Sequence, residues 1–216
     1  MKGISYKNQF SGRIILIITL LSISYAVLRY NILGDVPWKD LPLYVLNKGI
    51  SLSSLILLSI NFSLSPLKNM GVKISDKWLN TRKSMGIAGF LFAFIHIFMS
   101  FSILNPKYYS VFFMANGTLT IQGGLSLLGG ILSFVLLWVY NTSFSSRLRE
   151  DKRIMAIITS RRFLIYAFFF TGIHLFFMGY KGWGNIDAWQ GGLPPISLIS
   201  FSIFFLGFLI NLRGRK

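Results

Sequence analysis

The chain has 216 residues, of which 53% are hydrophobic and 13% charged, with a formal net charge of +16 and no cysteine; its mean hydropathy is +0.61. A soluble domain carries about 25% charged residues, so the composition excludes an ordinary soluble enzyme and points to an integral membrane protein. Without cysteine there is no disulfide, iron–sulfur cluster or thiolate ligand, and a chain this short leaves no room for an attached flavin or nucleotide domain.

Apolar runs of about 20 residues, the length that crosses a hydrocarbon core of about 30 Å, recur along the chain. They predict six spans, at 13–33, 49–67, 84–104, 121–140, 162–180 and 195–212. The runs are continuous and do not alternate. Only helices or closed barrels satisfy the backbone in lipid, so the spans are helices. The expected fold is all-α: a six-transmembrane-helix bundle forming one domain over 1–216. The first run follows a basic start but lacks a small-x-small cleavage site, so it reads as a retained helix rather than a signal peptide.

The basic residues set the expected orientation. Lys2, Lys7 and Arg13 precede the first span. Lys68, Lys73, Lys77, Arg82 and Lys83 fill the second connection. Arg147, Arg149, Lys152, Arg153, Arg161 and Arg162 fill the fourth, and Arg213, Arg215 and Lys216 close the chain. Seventeen of the 22 Lys and Arg thus fall on one side, against Arg29, Lys39, Lys48, Lys107 and Lys181 on the other. The positive-inside rule places both termini in the cytoplasm. This alternation ascribes the high charge to topology, so nucleic acid is not an expected partner and the lipid bilayer is.

The outer connections are rich in Trp, Tyr, Gly and Pro, as in Asp35-Val36-Pro37-Trp38, Asn105-Pro106-Lys107-Tyr108-Tyr109 and the stretch from Gly182 to Gly192. An interfacial aromatic belt accounts for them, and so does a quinone or haem-edge site built from the same rings. The Gly123-Gly124 and Gly129-Gly130 pairs suit close helix approach in the fourth span. Asn116-Gly117-Thr118 is formally a glycosylation sequon, a triplet too common to carry a function.

The chain has two histidines, His96 in the third span and His174 in the fifth, and no carboxylate falls within any predicted span. Ionisable groups at membrane depth are costly and mark functional sites. His96 lies 12 residues beyond Ser84 and His174 lies 11 beyond Phe163, so at a rise of 1.5 Å per residue both sit about 16–18 Å into the membrane. The two helices run in the same direction, which brings the imidazoles to one level, slightly beyond the midplane. Two neutral imidazoles on neighbouring helices are what an axially ligated haem iron requires. Gly89, Phe92, Ala93 and Ser100 share a helical face with His96; Ala167, Phe170, Thr171 and Met178 share one with His174. Small residues there leave space for a macrocycle edge, and phenyl rings wall it off. Gly89, Ala93 and Phe170 are therefore expected cofactor contacts beside the ligands His96 and His174. The plain alternative is that each histidine hydrogen-bonds a neighbouring helix. Zinc would need ligands that these spans do not supply.

The run Thr81-Arg82-Lys83-Ser84-Met85-Gly86-Ile87-Ala88-Gly89-Phe90-Leu91-Phe92-Ala93-Phe94-Ile95-His96-Ile97 resembles the signature of ferric-reductase-like transmembrane proteins: a basic pair, Leu/Met-Gly, Phe, aromatic-Ala and Leu-His-Leu. The likeness is greatest to the MsrQ (YedZ) branch, the haem-binding membrane subunit that serves a periplasmic methionine sulfoxide reductase. It extends from residue 45 to residue 180, through the Ser65-Pro66-Leu67 close of the second span, Trp138 to Ser143 at the close of the fourth, and Arg161 to His174 in the fifth. The resemblance implies a haem b electron-transfer protein of a bacterial inner membrane, fed by quinol or a flavin reductase and passing electrons to an outer-face acceptor such as a periplasmic reductase. The family carries two histidines in its fifth helix, 13 residues apart. Here the earlier position is Arg161, so one haem in the outer half of the membrane is implied and the inner one is not. Arg82, Lys83, Arg161 and Arg162 are candidates for haem propionates or FMN phosphate, and anionic lipid and topology explain them equally. Two other readings stay open on the residues: a haemless scaffold or small permease of the same fold, and a stand-alone ferric or cupric reductase.

Overall fold

The computed structural model describes residues 6–142, 152–158 and 160–214. Of the residues named above, Lys2, Ser143, Arg147, Arg149, Arg215 and Lys216 lie outside the described set, as do the side chains of Lys7 and Arg161. The described chain runs α1 (Tyr6–Val27), α2 (Leu46–Asn69), α3 (Asp76–Ser102), α4 (Ile121–Thr142), α5 (Lys152–Ile158), α6 (Arg161–Trp183) and α7 (Ile196–Arg213). Among the described residues there is no strand, only an isolated bridge between Phe113 and Leu119. Six helices, all but the short α5, are long and apolar enough to cross a membrane. The fifth expected span is α6.

Helix ends depart from the apolar windows where polar residues continue the helix. The third helix starts at Asp76 rather than residue 84, because Ser75 takes the extended N-cap conformation and Asp76 occupies the first turn, where a carboxylate complements the helix dipole. The second continues past Pro66 to Asn69. Pro66 falls in the last turn, where its missing N–H costs one hydrogen bond without breaking the run; Gly71, with φ of 89°, then turns the chain. Two π-helical turns, Leu28–Ile32 and Leu41–Val45, flank the first connection. Such turns are rare and gather at functional sites.

The helices form two groups. In one, α2 packs against α1 and α3; in the other, α6 packs against α4 and α7; α2 and α7 join them. By contrast, α3 touches α4 only lightly and barely meets α6. Lipid gives helices no hydrophobic reason to associate, so close packing and interhelical hydrogen bonds hold the groups together. The buried helix α2 is built for that: Asn47 donates to the Ser100 hydroxyl of α3 at 2.9 Å, and Ser54 donates to the Gly89 carbonyl of α3 at 2.7 Å. Large apolar side chains face outward instead, among them Leu21, Ile121 and Leu206, each more than 60% exposed. A soluble protein buries such residues; lipid solvates them.

The start of α1 and the end of α7 lie on one face of the bundle. Phe10 at the start of α1 meets Trp78 at the start of α3, with ring centroids 5.8 Å apart, and Gly214 abuts Pro66 at the end of α2. On the opposite, distal face the connections are stapled together. The Tyr25 hydroxyl donates to the Pro194 carbonyl at 2.7 Å, and Arg29 donates to the Leu193 carbonyl at 3.1 Å and to Gln190 Oε1 at 3.0 Å. Arg29 is thus a buried staple in a π-turn. Lys48 likewise lies in the first turn of α2 rather than in a connection.

Candidate functional site

Where α3 stands off from α4 and α6, a cavity of about 650 Å³ opens, lined by His96, His174 and Ala93 among others. That volume lies within the roughly 300–1,000 Å³ of cofactor sites. One side is the buried cluster of Leu55, Leu58, Phe62 and Phe168. Toward the terminal face the α3–α4 gap is shut by rings: Phe90 stacks on Phe134 at 5.7 Å, and Trp138 meets both Phe94 and Phe134.

His96 and His174 face each other across this gap, with ring centroids 6.4 Å apart and planes at 69°. Each ring is held by one nitrogen. His96 Nδ1 donates to Asn47 Oδ1 at 2.7 Å. The Asn47 amide in turn donates to the Ser100 hydroxyl at 2.9 Å, which sets the amide with its oxygen toward the ring. His174 Nδ1 lies 2.9 Å from the Ser126 carbonyl. A carbonyl only accepts, so Nδ1 carries the proton there and neutral imidazole presents an unprotonated Nε2. No hydrogen bond engages either Nε2 among the described residues. This is the arrangement of a metal-ligating histidine: one nitrogen tied to a carbonyl, the other free for the metal.

The separation can be compared with what a metal needs. A metal–imidazole bond is about 2.0 Å and a ring nitrogen lies about 1.1 Å from its centroid, so two imidazoles on opposite sides of one metal would have centroids about 6.2 Å apart. The observed 6.4 Å agrees with that. Among the described residues, no three of His, Asp or Glu come together as a metal-binding group. A metal held by this pair would take its remaining ligands from a bound molecule.

The architecture of α4 fits His174 into place. Gln122 donates to the Phe177 carbonyl at 2.9 Å, Ser126 to the His174 carbonyl at 3.0 Å and Ser133 to the Ala167 carbonyl at 3.1 Å, all across the α4–α6 seam. These positions share one helical face. A Cβ at Gly130 would lie 2.9 Å from His174 Nδ1, and one at Gly129 would lie 2.9 Å from the His174 backbone nitrogen. The Gly129-Gly130 pair therefore does more than let helices approach, because Gly130 makes room for the imidazole.

Not every expected contact lies on the cavity. Gly89 marks the α2–α3 crossing instead: a Cβ there would lie 2.8 Å from Leu58 Cγ. Phe170 lies away from the cavity lining and packs on the Phe169 ring, with centroids 5.6 Å apart. Thr171, Ala167, Met178 and Ser100 do line it, and the aromatic walls come from Phe62, Phe134 and Phe168. Sequence reading missed Asn47, Ser126, Gly130 and Lys48. The polar stripe at Gln122, Ser126 and Ser133 was a readable signal for the α4 face; nothing in the sequence singled out Asn47.

At the distal end the lining becomes polar. Tyr30 and Tyr44, carried there by the two π-turns, lie 6.1 Å apart, and Tyr44 lies 5.2 Å from Tyr108. Tyr108 donates to Asp40 at 2.7 Å, and Lys107 donates to Tyr108 at 3.0 Å and to Asp40 at 3.5 Å. The hydrogen bond to Tyr108, then the Asp40 charge, holds the Lys107 ammonium above the usual lysine range. Burial pushes the Tyr109 phenol up, so it stays protonated as a donor at neutral pH.

No protein-family model matches this chain, and no curated protein matches it significantly.

Proposed function

We propose that this chain is a membrane electron-transfer protein that holds one haem b between His96 and His174. The observation that carries the reading is the facing imidazole pair, 6.4 Å between centroids, with both Nδ1 atoms bonded and both Nε2 atoms free. Among the described residues no third His, Asp or Glu joins the pair, which suits a tetrapyrrole, since that group brings four nitrogens of its own and asks the protein for only two. The resemblance of the His96 segment to ferric-reductase-like proteins points the same way.

The residues present fit that group. His96 and His174 would be the axial ligands. When bound, haem supplies a one-electron couple; the protein supplies ligation, orientation and dielectric. Asn47 and the Ser126 carbonyl fix the two imidazole tautomers and raise their basicity as ligands. Leu55, Leu58, Phe134 and Leu137 exclude water along the apolar wall.

The wider setting belongs to the same proposal. On this reading both ends lie in the cytoplasm, which the basic bias supports, and the membrane is a bacterial inner membrane, which the family resemblance supports. The cavity's polar end then faces outward, toward a periplasmic reductase or a quinone. FMN has no part in this reading.

The test is spectroscopic. Purified after expression with ample haem, the wild type should show a low-spin b-type spectrum, and His96→Ala and His174→Ala should each lose it. A colourless, folded wild type overturns the proposal.

A further inference from the structure

Lys48 presents a charge that the protein itself does not neutralise. Its ammonium lies on the cavity lining, 4.5 Å from the centroid of the Tyr44 ring, 5.1 Å from Tyr30 and 6.0 Å from Tyr109. The one ion pair among the described residues joins Lys107 to Asp40, so no carboxylate lies within reach of Lys48. Asp40 is committed to Lys107 and Tyr108. A cation withdrawn from water is costly unless paired, and aromatic faces compensate only in part. Hydroxyls gather around it: Ser51, Tyr108, Tyr109 and Ser110 line the same end. Most of the remaining wall is apolar, and no other Lys or Arg lines it. Lys48 also follows Asn47 directly on α2, so the residue that orients the His96 ring and the residue that carries the charge are set by one helical turn.

We infer that Lys48 is the anion-recognition group of this cavity and holds the carboxylate edge of the ligand clamped by the two imidazoles. This rests on the haem reading and adds an orientation to it: the carboxylates point to the distal face, the apolar edge to the ring-closed terminal side. A carboxylate set there gains a charge-assisted hydrogen bond from Lys48. The same chemistry would suit an anionic lipid headgroup entering the cavity mouth, and the test separates the two sources.

The experiment compares haem with its dimethyl ester, which keeps the macrocycle and removes both carboxylates. The full-length protein is used in zwitterionic nanodiscs, with and without phosphatidylglycerol, and porphyrin release is timed by transfer to apomyoglobin. Wild type should hold haem roughly tenfold or more longer than the ester, as expected for a charge-assisted contact. Lys48→Met should erase that difference, and Lys48→Arg should keep it. The wild-type comparison stands even if Lys48→Met fails to fold. Equal retention of haem and ester by wild type overturns the inference and leaves the haem reading intact. A Lys48 effect that is the same for both porphyrins and appears only with phosphatidylglycerol assigns the residue to a headgroup and also overturns it. A chain that retains neither porphyrin overturns both.

Discussion

Asn47→Leu is the sharpest test of how the site is held. Asn47 is 1% exposed and makes two hydrogen bonds, one from His96 Nδ1 at 2.7 Å and one to Ser100 Oγ at 2.9 Å. Leucine has the same branched heavy-atom shape but bulkier ends, so no cavity is created and the loss is that of those bonds plus any overpacking. In a membrane protein each such bond contributes about 0.6 kcal/mol on average and at most about 1.7, which puts the cost at about 1–3 kcal/mol. Second-shell partners of ligating histidines change metal affinity by about 10–100-fold, or about 1.4–2.8 kcal/mol at 1.4 kcal/mol per tenfold. The two routes agree. Haem release from Asn47→Leu in detergent should therefore be about 10–100-fold faster than from wild type, with a modest loss of thermal stability. Ser100→Ala keeps the acceptor on Asn47 and should change release by only a few-fold. Haem retention equal to wild type in a folded Asn47→Leu protein would refute the claim that this amide sets the His96 ring.

Further outcomes follow from the same geometry. Gly130→Ala places a methyl 2.9 Å from His174 Nδ1, while Gly124→Ala meets nothing within 4 Å; only the first should displace the ring and weaken haem retention, and equal behaviour of the two would count against the Gly130 role. The imidazole planes are 69° apart, so oxidised haem-loaded protein should give the strongly anisotropic low-spin EPR signal of crossed axial ligands rather than the rhombic signal of parallel ones. Both Tyr109, through burial, and Lys107, through Tyr108 and Asp40, have pKa values above their usual ranges. The folded state then keeps protons that the unfolded state releases, so stability is full below the ordinary tyrosine and lysine values and declines as pH rises through the raised ones. Thermal melts from neutral to strongly alkaline pH should show that decline, and Tyr109→Phe should lessen it; a profile unchanged by the substitution would contradict the assignment.

Several elements were legible in the chain because lipid imposes a simple rule on it. A segment that crosses must satisfy its own backbone and present apolar side chains for about 20 residues, so the spans at 121–140, 162–180 and 195–212 lie close to α4, α6 and α7. The equal depth of His96 and His174 was legible for the same reason, since helical rise converts residue number into height. The limits were also physical. Hydropathy does not register Asp76 to Lys83, which are helical but polar, and it left Lys48 in a connection although it lies in the first turn of α2.

By itself, then, the sequence determined an all-helical chain with six membrane-competent helices and two imidazoles at one height, because each of these depends only on local composition and spacing. Which way the imidazoles face, and what holds them, came from the tertiary structure. The pairing of α2 with α3 and of α4 with α6 brings Asn47 to His96 and the Ser126 carbonyl to His174. These partners are 49 and 48 residues away in the chain, and no periodicity encodes a contact that distant. The gap between α3 and α6 is likewise a property of how two helix groups pack, and it is that gap which turns two buried histidines into a site.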